Sequence, residues 1–436
     1  MRTSGKFDDP GGVARHVTDR RIELCQRDFD HGKGAHVEDR TTGRGSESTA
    51  ALKNTVIRVH DHPGGIAAAA WNALLALQAS ATPFMRHEYL MALHESGSAV
   101  AQTGWQPQFL SVHDDDTLVA ACPLYMKAHS YGEYVFDWAW ADAYRRHGLA
   151  YYPKLLDAVP FTPVPGPRLL ARDAASRVAL LQGMQKLVTQ AGLSSAHLLF
   201  LDEADSAVAR EAGWMLRTTV QFHWANREPQ PYADFADFLA SLQREKRKKI
   251  QQERRRVADA GVSFDTLQGA EITEADWDYF YRCYTLTYQL HRSTPYLTRD
   301  FFARMAQTMP EHWLLFIARR GGVRIAASLI GIDPAKGHAF GRYWGATEAV
   351  SCLHFEACYY QPLAWCIAHG YRRFEGGAQG EHKMARGLLP VQTQSAHWLA
   401  HPQFAEAVAN FLEQEGAGVA QYVDELNERL PFKASS

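Results

Sequence analysis

The chain has 436 residues, more than a single hydrophobic core usually serves, so two or three domains are expected. Its 46 Lys and Arg against 48 Asp and Glu leave a net charge of −2, which excludes a globally basic nucleic-acid coat and an acidic tail protein; any charge-driven binding must come from a local patch. No apolar run approaches the roughly 20 residues that cross a bilayer, and 46% hydrophobic with 22% charged residues is the balance expected of a soluble, cytoplasmic protein.

Residues 1–50 are rich in Gly, Asp, Arg, Thr and Ser and lack apolar periodicity, which predicts a disordered N-terminal extension. Asp8, Asp9, Asp19, Asp28 and Asp30, with no apolar stretch, argue against a secretory or organellar leader. The six cysteines form no C-x-x-C pair and match no zinc spacing, so buried free thiols in a reducing compartment are expected, with no metal site.

From residue 54 onward the chain echoes itself. Ala81-Thr82-Pro83-Phe84-Met85 through Glu88-Tyr89-Leu90 resembles Ser293-Thr294-Pro295-Tyr296-Leu297 through Asp300-Phe301-Phe302. A hairpin follows each: Phe109–Val112 and Leu118–Ala121 about an Asp-rich turn, then Leu314–Ala318 and Arg324–Ala327 about Gly321-Gly322. A further strand comes next (Tyr134–Phe136; His338–Gly341), then a Gly-terminated helix (174–191; 353–369) and a last strand (197–200; 371–374). Pro362 should kink the second of those helices. The doubled order predicts an α/β fold of two domains with mixed sheets, residues 54–231 and 262–433.

Between them, residues 232–261 read as one linker helix with Asp234 at its cap. Lys246, Arg247, Lys248 and Lys249 head a run of cations facing only Glu245 and Glu253. Such a run is either a solvated face or a phosphate-binding stripe, and the charge pattern leaves both open.

Two clusters carry the chemistry. Alternation along 127–137 predicts a strand whose one face holds Lys127, His129, Tyr131, Glu133 and Asp137, a set hard to bury as ordinary core and suited to a polar substrate groove. Tyr144, Tyr152, Lys154 and Arg168 would add rings and positive charge for an anionic or peptidic acceptor. In the second half Glu375 closes a strand before Gly376-Gly377, and Gln379, Glu381, His382 and Lys383 crowd the turn. Lys383 is a candidate oxyanion or phosphate partner and Glu381 or His382 a candidate proton acceptor; a salt-bridged surface turn is the plain alternative. Arg342, Tyr343 and Trp344 are expected to line the same cleft, and Glu375, Gln379 and Arg386 to bind substrate there. No H-E-x-x-H, Walker or G-x-S-x-G pattern occurs.

Longer blocks carry a resemblance: Lys127 to Asp137 with Trp140-Ala141 and Tyr144, then Tyr151-Tyr152-Pro153-Lys154-Leu155, Pro160–Pro163 and Gly166–Leu170; in the second half, Phe374–Lys383 with Arg386-Gly387 and Pro390. Over about residues 54–433 the chain resembles the FemAB-like, FemABX-related group of the GNAT acyltransferase superfamily, the group labelled peptidoglycan biosynthesis/recognition. That resemblance implies tandem GNAT-like halves, an acceptor site mostly on the first, and transfer of an amino acid from aminoacyl-tRNA to an amine of a cell-wall precursor. Lys383 then inherits the role of the family's lysine, with His382 in place of its aromatic partner. The resemblance also makes the basic helix the expected tRNA contact. Two rivals stay open: an N-acetyltransferase using acetyl-CoA, although Trp344–Ala349 lacks the pyrophosphate-binding signature, and a non-catalytic module binding cell-wall precursor or RNA.

Overall fold

A computed structural model describes residues 21–23, 55–377 and 380–433. Most of the expected N-terminal extension lies outside the described residues, as do Cys25 and Gln379; the part described, Arg21–Glu23, is not loose but forms strand β1. Next come β2 (Thr55–His60), α1 (Ala68–Ala76), α2 (His87–Glu95), β3 (Trp105–Pro107), β4 (Phe109–Asp114), β5 (Thr117–Cys122) and β6 (Leu124–Lys127). The first half closes with α3 (Trp138–Arg146), β7 (Lys154–Asp157), β8 (Leu170–Ala171), α4 (Ala174–Ala191), β9 (Ser195–Leu201), α5 (Glu203–Glu211) and β10 (Met215–Ala225).

The expected linker helix is two helices, α6 (Phe235–Ser241) and α7 (Arg244–Asp259), because Leu242 and Gln243 turn to extended ψ and bury Leu242 between them. The second half runs β11 (Val262–Gln268), α8 (Glu274–Leu290), α9 (Arg299–Thr308), β12 (Trp313–Arg320), β13 (Val323–Asp333) and β14 (His338–Ala346). It ends with α10 (Leu353–Phe355), a π-helical turn (Glu356–Tyr360), α11 (Gln361–Ala368), β15 (Arg373–Glu375), β16 (Leu389–Leu399) and α12 (Pro402–Asn427). Pro362 falls in the first turn of α11; the departure from α geometry lies just before it, in the π turn.

Local chemistry explains the best-defined elements. Asp173 accepts from the Ser176 N–H at 2.8 Å to start α4, and Gly192 ends it at φ +63°, where a Cβ would be strained. The β12–β13 hairpin turns on Gly321 and Gly322, both at positive φ, as a tight right-twisting turn requires. Tyr134–Phe136, expected as a strand, is loop: β6 stops at Lys127, and the chain leaves the sheet until β7.

One sheet has the order β1-β2-β4-β5-β8, and an eleven-stranded sheet runs β11-β12-β13-β14-β15-β10-β16-β9-β7-β6-β3. The halves share the pairing at their inner ends. β9 joins β7 in parallel at Leu155–Asp157, as β15 joins β14 at His338–Phe340. Each half then lacks its own closing strand. β10, from the first half, pairs with β15 of the second, while β16, from the second, pairs with β9 of the first. The exchanged strands lie antiparallel, with Thr219 facing Thr393 and their hydroxyls 2.8 Å apart. The boundary at residues 232–261 therefore separates the halves in sequence but not in space.

The echoed Thr-Pro segments sit at a second junction, packing α2 beside α9. Phe84 meets Phe340 edge-on at 5.1 Å and Tyr89 meets Phe301 at 5.4 Å, all buried in one core that spans both halves. Among the described residues, no helix is long and apolar enough to cross a membrane.

Candidate functional site

β14 and β15 pair over three residues and then part. The gap is a crevice of about 150 Å³ lined by Arg342, Tyr343 and Trp344 of β14, His354, Cys358 and Tyr359 of the π-interrupted helix, and Gly376-Gly377 after β15. Gly376 has no room for a side chain: a Cβ there would lie 3.1 Å from the Phe222 carbonyl and 3.2 Å from Lys383 Cδ. The glycine pair thus lets the Lys383 stem run directly behind the crevice wall, where its Nζ donates to the Gly377 carbonyl at 3.1 Å. Lys383 is 3% exposed, and burial pulls its ammonium down to about 8. The same burial pushes the Cys358 thiol up to about 12, so it is no thiolate nucleophile.

The turn carrying Lys383 is a 3₁₀ helix, Glu381–Arg386, and it distributes its side chains unequally. His382 Nε2 lies 3.3 Å from the Tyr359 hydroxyl, which links it to the crevice; burial, then Arg386 and Lys383, lower its pKa, so the ring is neutral near pH 7. Glu381 points away, exposed and 3.5 Å from Arg429, just past the end of α12. Arg386 is buried, donates to Glu253 at 3.0 Å and lies 3.5 Å over Phe355. It anchors the turn to α7 and does not face substrate. Glu375, also expected at the site, is buried on the far side against Arg373 at 3.4 Å, and burial raises it to about 7.

A second cavity, about 410 Å³, shares Arg342, Tyr343 and Trp344 with the crevice. Its other walls are Tyr134 from the first half and Tyr284, Thr287, Tyr288, His291, Ser293 and Tyr296 from α8 and the segment after it. Arg342 spans the halves: its Nη2 donates to the Phe161 carbonyl at 2.9 Å and to the Thr162 hydroxyl at 3.1 Å. Burial raises the pKa of Tyr134, Tyr284, Tyr288 and Tyr296, so each stays a phenol able to donate and accept. The combination suits a polar, ring-bearing or peptidic ligand.

The first-half cluster is different in kind from the groove that alternation suggested. With no strand over 128–137, His129 is half-buried and Tyr131 exposed, its ring tilted against Trp138 at 5.3 Å. Lys127, Glu133, Asp137 and Lys154 are all at most 4% exposed. Lys154 donates to Ser130 and Glu133, each at 2.8 Å, and to Asp137, which also accepts from Tyr151 at 2.6 Å. Lys127 sits 3.6 Å over Trp105. Burial brings Lys127 down to about 7 and Glu133 up to about 7. Burial also opposes charge on Asp137, yet Lys154 and His197 hold it well below the usual carboxylate range. These groups pair with one another inside the protein, yet Glu133 Oε1 and Asp137 Oδ1 stay buried without a hydrogen bond. Their role is to pin the 128–137 loop, which delivers Tyr134 to the second cavity. Tyr144 is buried against Tyr151 and Phe404, and Tyr152 reaches the Ser130 hydroxyl at 2.8 Å. Arg168 cannot meet a ligand: it is 1% exposed and donates to the carbonyls of Leu199 at 2.9 Å, Pro167 at 3.1 Å and Val164 at 2.6 Å.

On α7, Lys248 and Lys249 are exposed and Lys246 and Arg247 half-buried. Its inner face buries Ile250, Glu253 and Val257, and Arg254 pairs with Glu356 at 3.1 Å. Arg254 is thus tied into the fold, while Arg244, Lys248, Lys249, Arg255 and Arg256 are exposed.

Sequence reasoning missed Tyr359, Cys358 and the tyrosines of α8. Nothing in the sequence marks the π turn that aims the first two; the tyrosines at 284, 288 and 296 were visible, but their spacing reads as core. Among the described residues, no cluster of His, Cys, Asp or Glu is placed to hold a metal.

A family model for FemAB-like proteins, described as peptidoglycan biosynthesis/recognition, matches residues 63–434. No curated protein matches the chain. Similar solved structures include FemX, at 9% identity and TM-score 0.48, covering 79% of this chain and 98% of that one. Another is L-PGS from Bacillus licheniformis, at 11% identity and TM-score 0.46, covering 78% and 96%. A tandem GNAT protein from the clavulanic acid biosynthesis pathway gives 11% identity and TM-score 0.40, covering 80% and 99%.

Proposed function

Because the chain belongs to the FemAB-like family, we propose that it is an acyltransferase that moves an aminoacyl group onto an amine of a peptidic, cell-wall-precursor-like acceptor. The acceptor occupies the tyrosine-lined cavity and the reacting carbonyl enters the crevice, the two meeting at the wall formed by Arg342, Tyr343 and Trp344. The single observation that supports this most is that shared wall, with Gly377 on the crevice's other side accepting a hydrogen bond from the low-pKa Lys383.

The acceptor nitrogen attacks the carbonyl carbon, a C–N bond forms, and the carbonyl oxygen takes negative charge. Lys383, mostly protonated at pH 7, is the cation beside that oxygen, in a site that burial keeps at low dielectric. Collapse breaks the bond to the donor's leaving oxygen. The proton lost by the amine passes through the Tyr359 hydroxyl to neutral His382 and returns by the same route to the leaving oxygen, which departs as the hydroxyl. The exposed cations of α7 would bind the phosphates of an aminoacyl-tRNA donor.

The test is mass spectrometry of a lysine-containing acceptor peptide incubated with charged tRNA or with acetyl-CoA. An aminoacyl mass gain that disappears in Lys383→Ala supports the proposal. An acetyl gain would replace it by the CoA-dependent reading, and peptide binding without any product, unchanged in Lys383→Ala, by a binding module.

A further inference from the structure

The strand exchange makes the two ends of the central ladder comparable. About the Thr219–Thr393 contact, His223 of β10 corresponds to His397 of β16 and Trp224 to Trp398. By the same registers Glu375 corresponds to His197 and His338 to Lys154. The sequence carries the match openly, as a Thr-x-x-x-His-Trp motif at each end.

The surroundings are not matched. Beside His397 the chain fills the space itself: Trp140 meets the imidazole edge-on at 4.9 Å, and the Asp137 carboxylate accepts from Tyr151 and Lys154. Beside His223 the corresponding space is a cavity of about 680 Å³. Trp224, Tyr232, Pro390 and Phe432 give it apolar and aromatic walls, and its charged lining is Arg227, Arg372, Arg373 and one carboxylate, Glu228. Arg227 is engaged by Asp237 at 2.9 Å and Arg373 by Glu375 at 3.4 Å. Arg372 is exposed and makes no ion pair among the described residues. The His397 end thus packs a carboxylate and a ring into this space; at the other end Glu375 and Arg373 lie against His223 in the wall, and the volume itself is empty with Arg372, unpaired among the described residues, at its edge.

We infer that this cavity binds a small organic oxyanion, a phosphate or carboxylate borne on a flat apolar body, in the place that Asp137 and Trp140 take in the other half. It is a binding site apart from the crevice, and it stands whether or not the transfer reaction does.

Calorimetry on the full chain tests it with phenyl phosphate, benzoate and benzyl alcohol. At least one of the two anions saturates, benzyl alcohol binds about tenfold more weakly or not at all, and the tighter anion identifies the headgroup. Arg372→Glu, at an exposed position, lowers that affinity about tenfold with an unchanged melting temperature, while Lys383→Ala leaves it within about twofold. Three results would overturn the inference: no saturable heat for either anion at millimolar concentration, equal affinity in Arg372→Glu, or loss of binding in Lys383→Ala, which would put the anion in the crevice.

Discussion

Lys383 is a lysine whose charge is in play. In the unfolded chain its ammonium titrates near the ordinary 10.5, and in the folded protein burial brings it down to about 8. A cation at the oxyanion predicts that transfer falls as pH rises through about 8, and that Lys383→Arg, permanently charged, abolishes that limb while keeping measurable activity. An activity that rises through the same range would make Lys383 a base instead. Glu375 gives a stability counterpart. Its folded pKa is raised to about 7 from 4.5, so the native state binds more protons between those values and stability falls as pH rises across the window. Glu375→Gln should flatten that slope, gaining up to about 3 kcal/mol on the wild type at pH 8 relative to pH 4, read by urea unfolding at both pH values. Lys154→Met acts oppositely. It strands Asp137 as a buried, uncompensated charge and leaves Glu133, then neutral, without its donor; this should cost about 3–5 kcal/mol at pH 7, a loss visible as a large drop in melting temperature.

Among elements, α8 is pressed hard against β14. A Cβ at Gly345 would collide with the Cys283 carbonyl, a backbone atom that moves only if the helix does. Gly345→Ala should therefore destabilise the protein by roughly 1–3 kcal/mol and weaken acceptor binding with it, because the same helix carries Tyr284 and Tyr288. For α7, neutralising Lys248 and Lys249 should change stability by less than about 0.5 kcal/mol yet weaken salt-sensitive tRNA binding. Unchanged affinity in a filter-binding assay would remove α7 from donor recognition. The contrast between these helices shows what was legible. α4, with its Asp173 start and Gly192 stop, and both hairpins could be read from caps and turns, since those signals are local. The 127–137 stretch misled because alternation is also what a loop folding polar side chains inward produces. The split of α6 from α7 depended on where Leu242 buries, which no local signal states.

At the scale of the molecule, the doubling was legible in the Thr-Pro segments, and the exchange of β10 and β16 was not. The paired Thr-x-x-x-His-Trp motifs report that two strands are alike, but only the ladder shows whose sheet each completes. The tyrosine cavity was likewise hidden, because its walls come from strands and helices distant in the chain.

The exchange also sets an order on biosynthesis. As the polypeptide leaves the ribosome, the sheet edge at β9, which ends at Leu201, stays unpaired until Leu389–Leu399 has emerged, about 190 residues later. The nascent N-terminal portion must wait with a sticky flank, a natural client for holding chaperones. Genes truncated before β16 should accordingly yield insoluble product, however complete their first half looks.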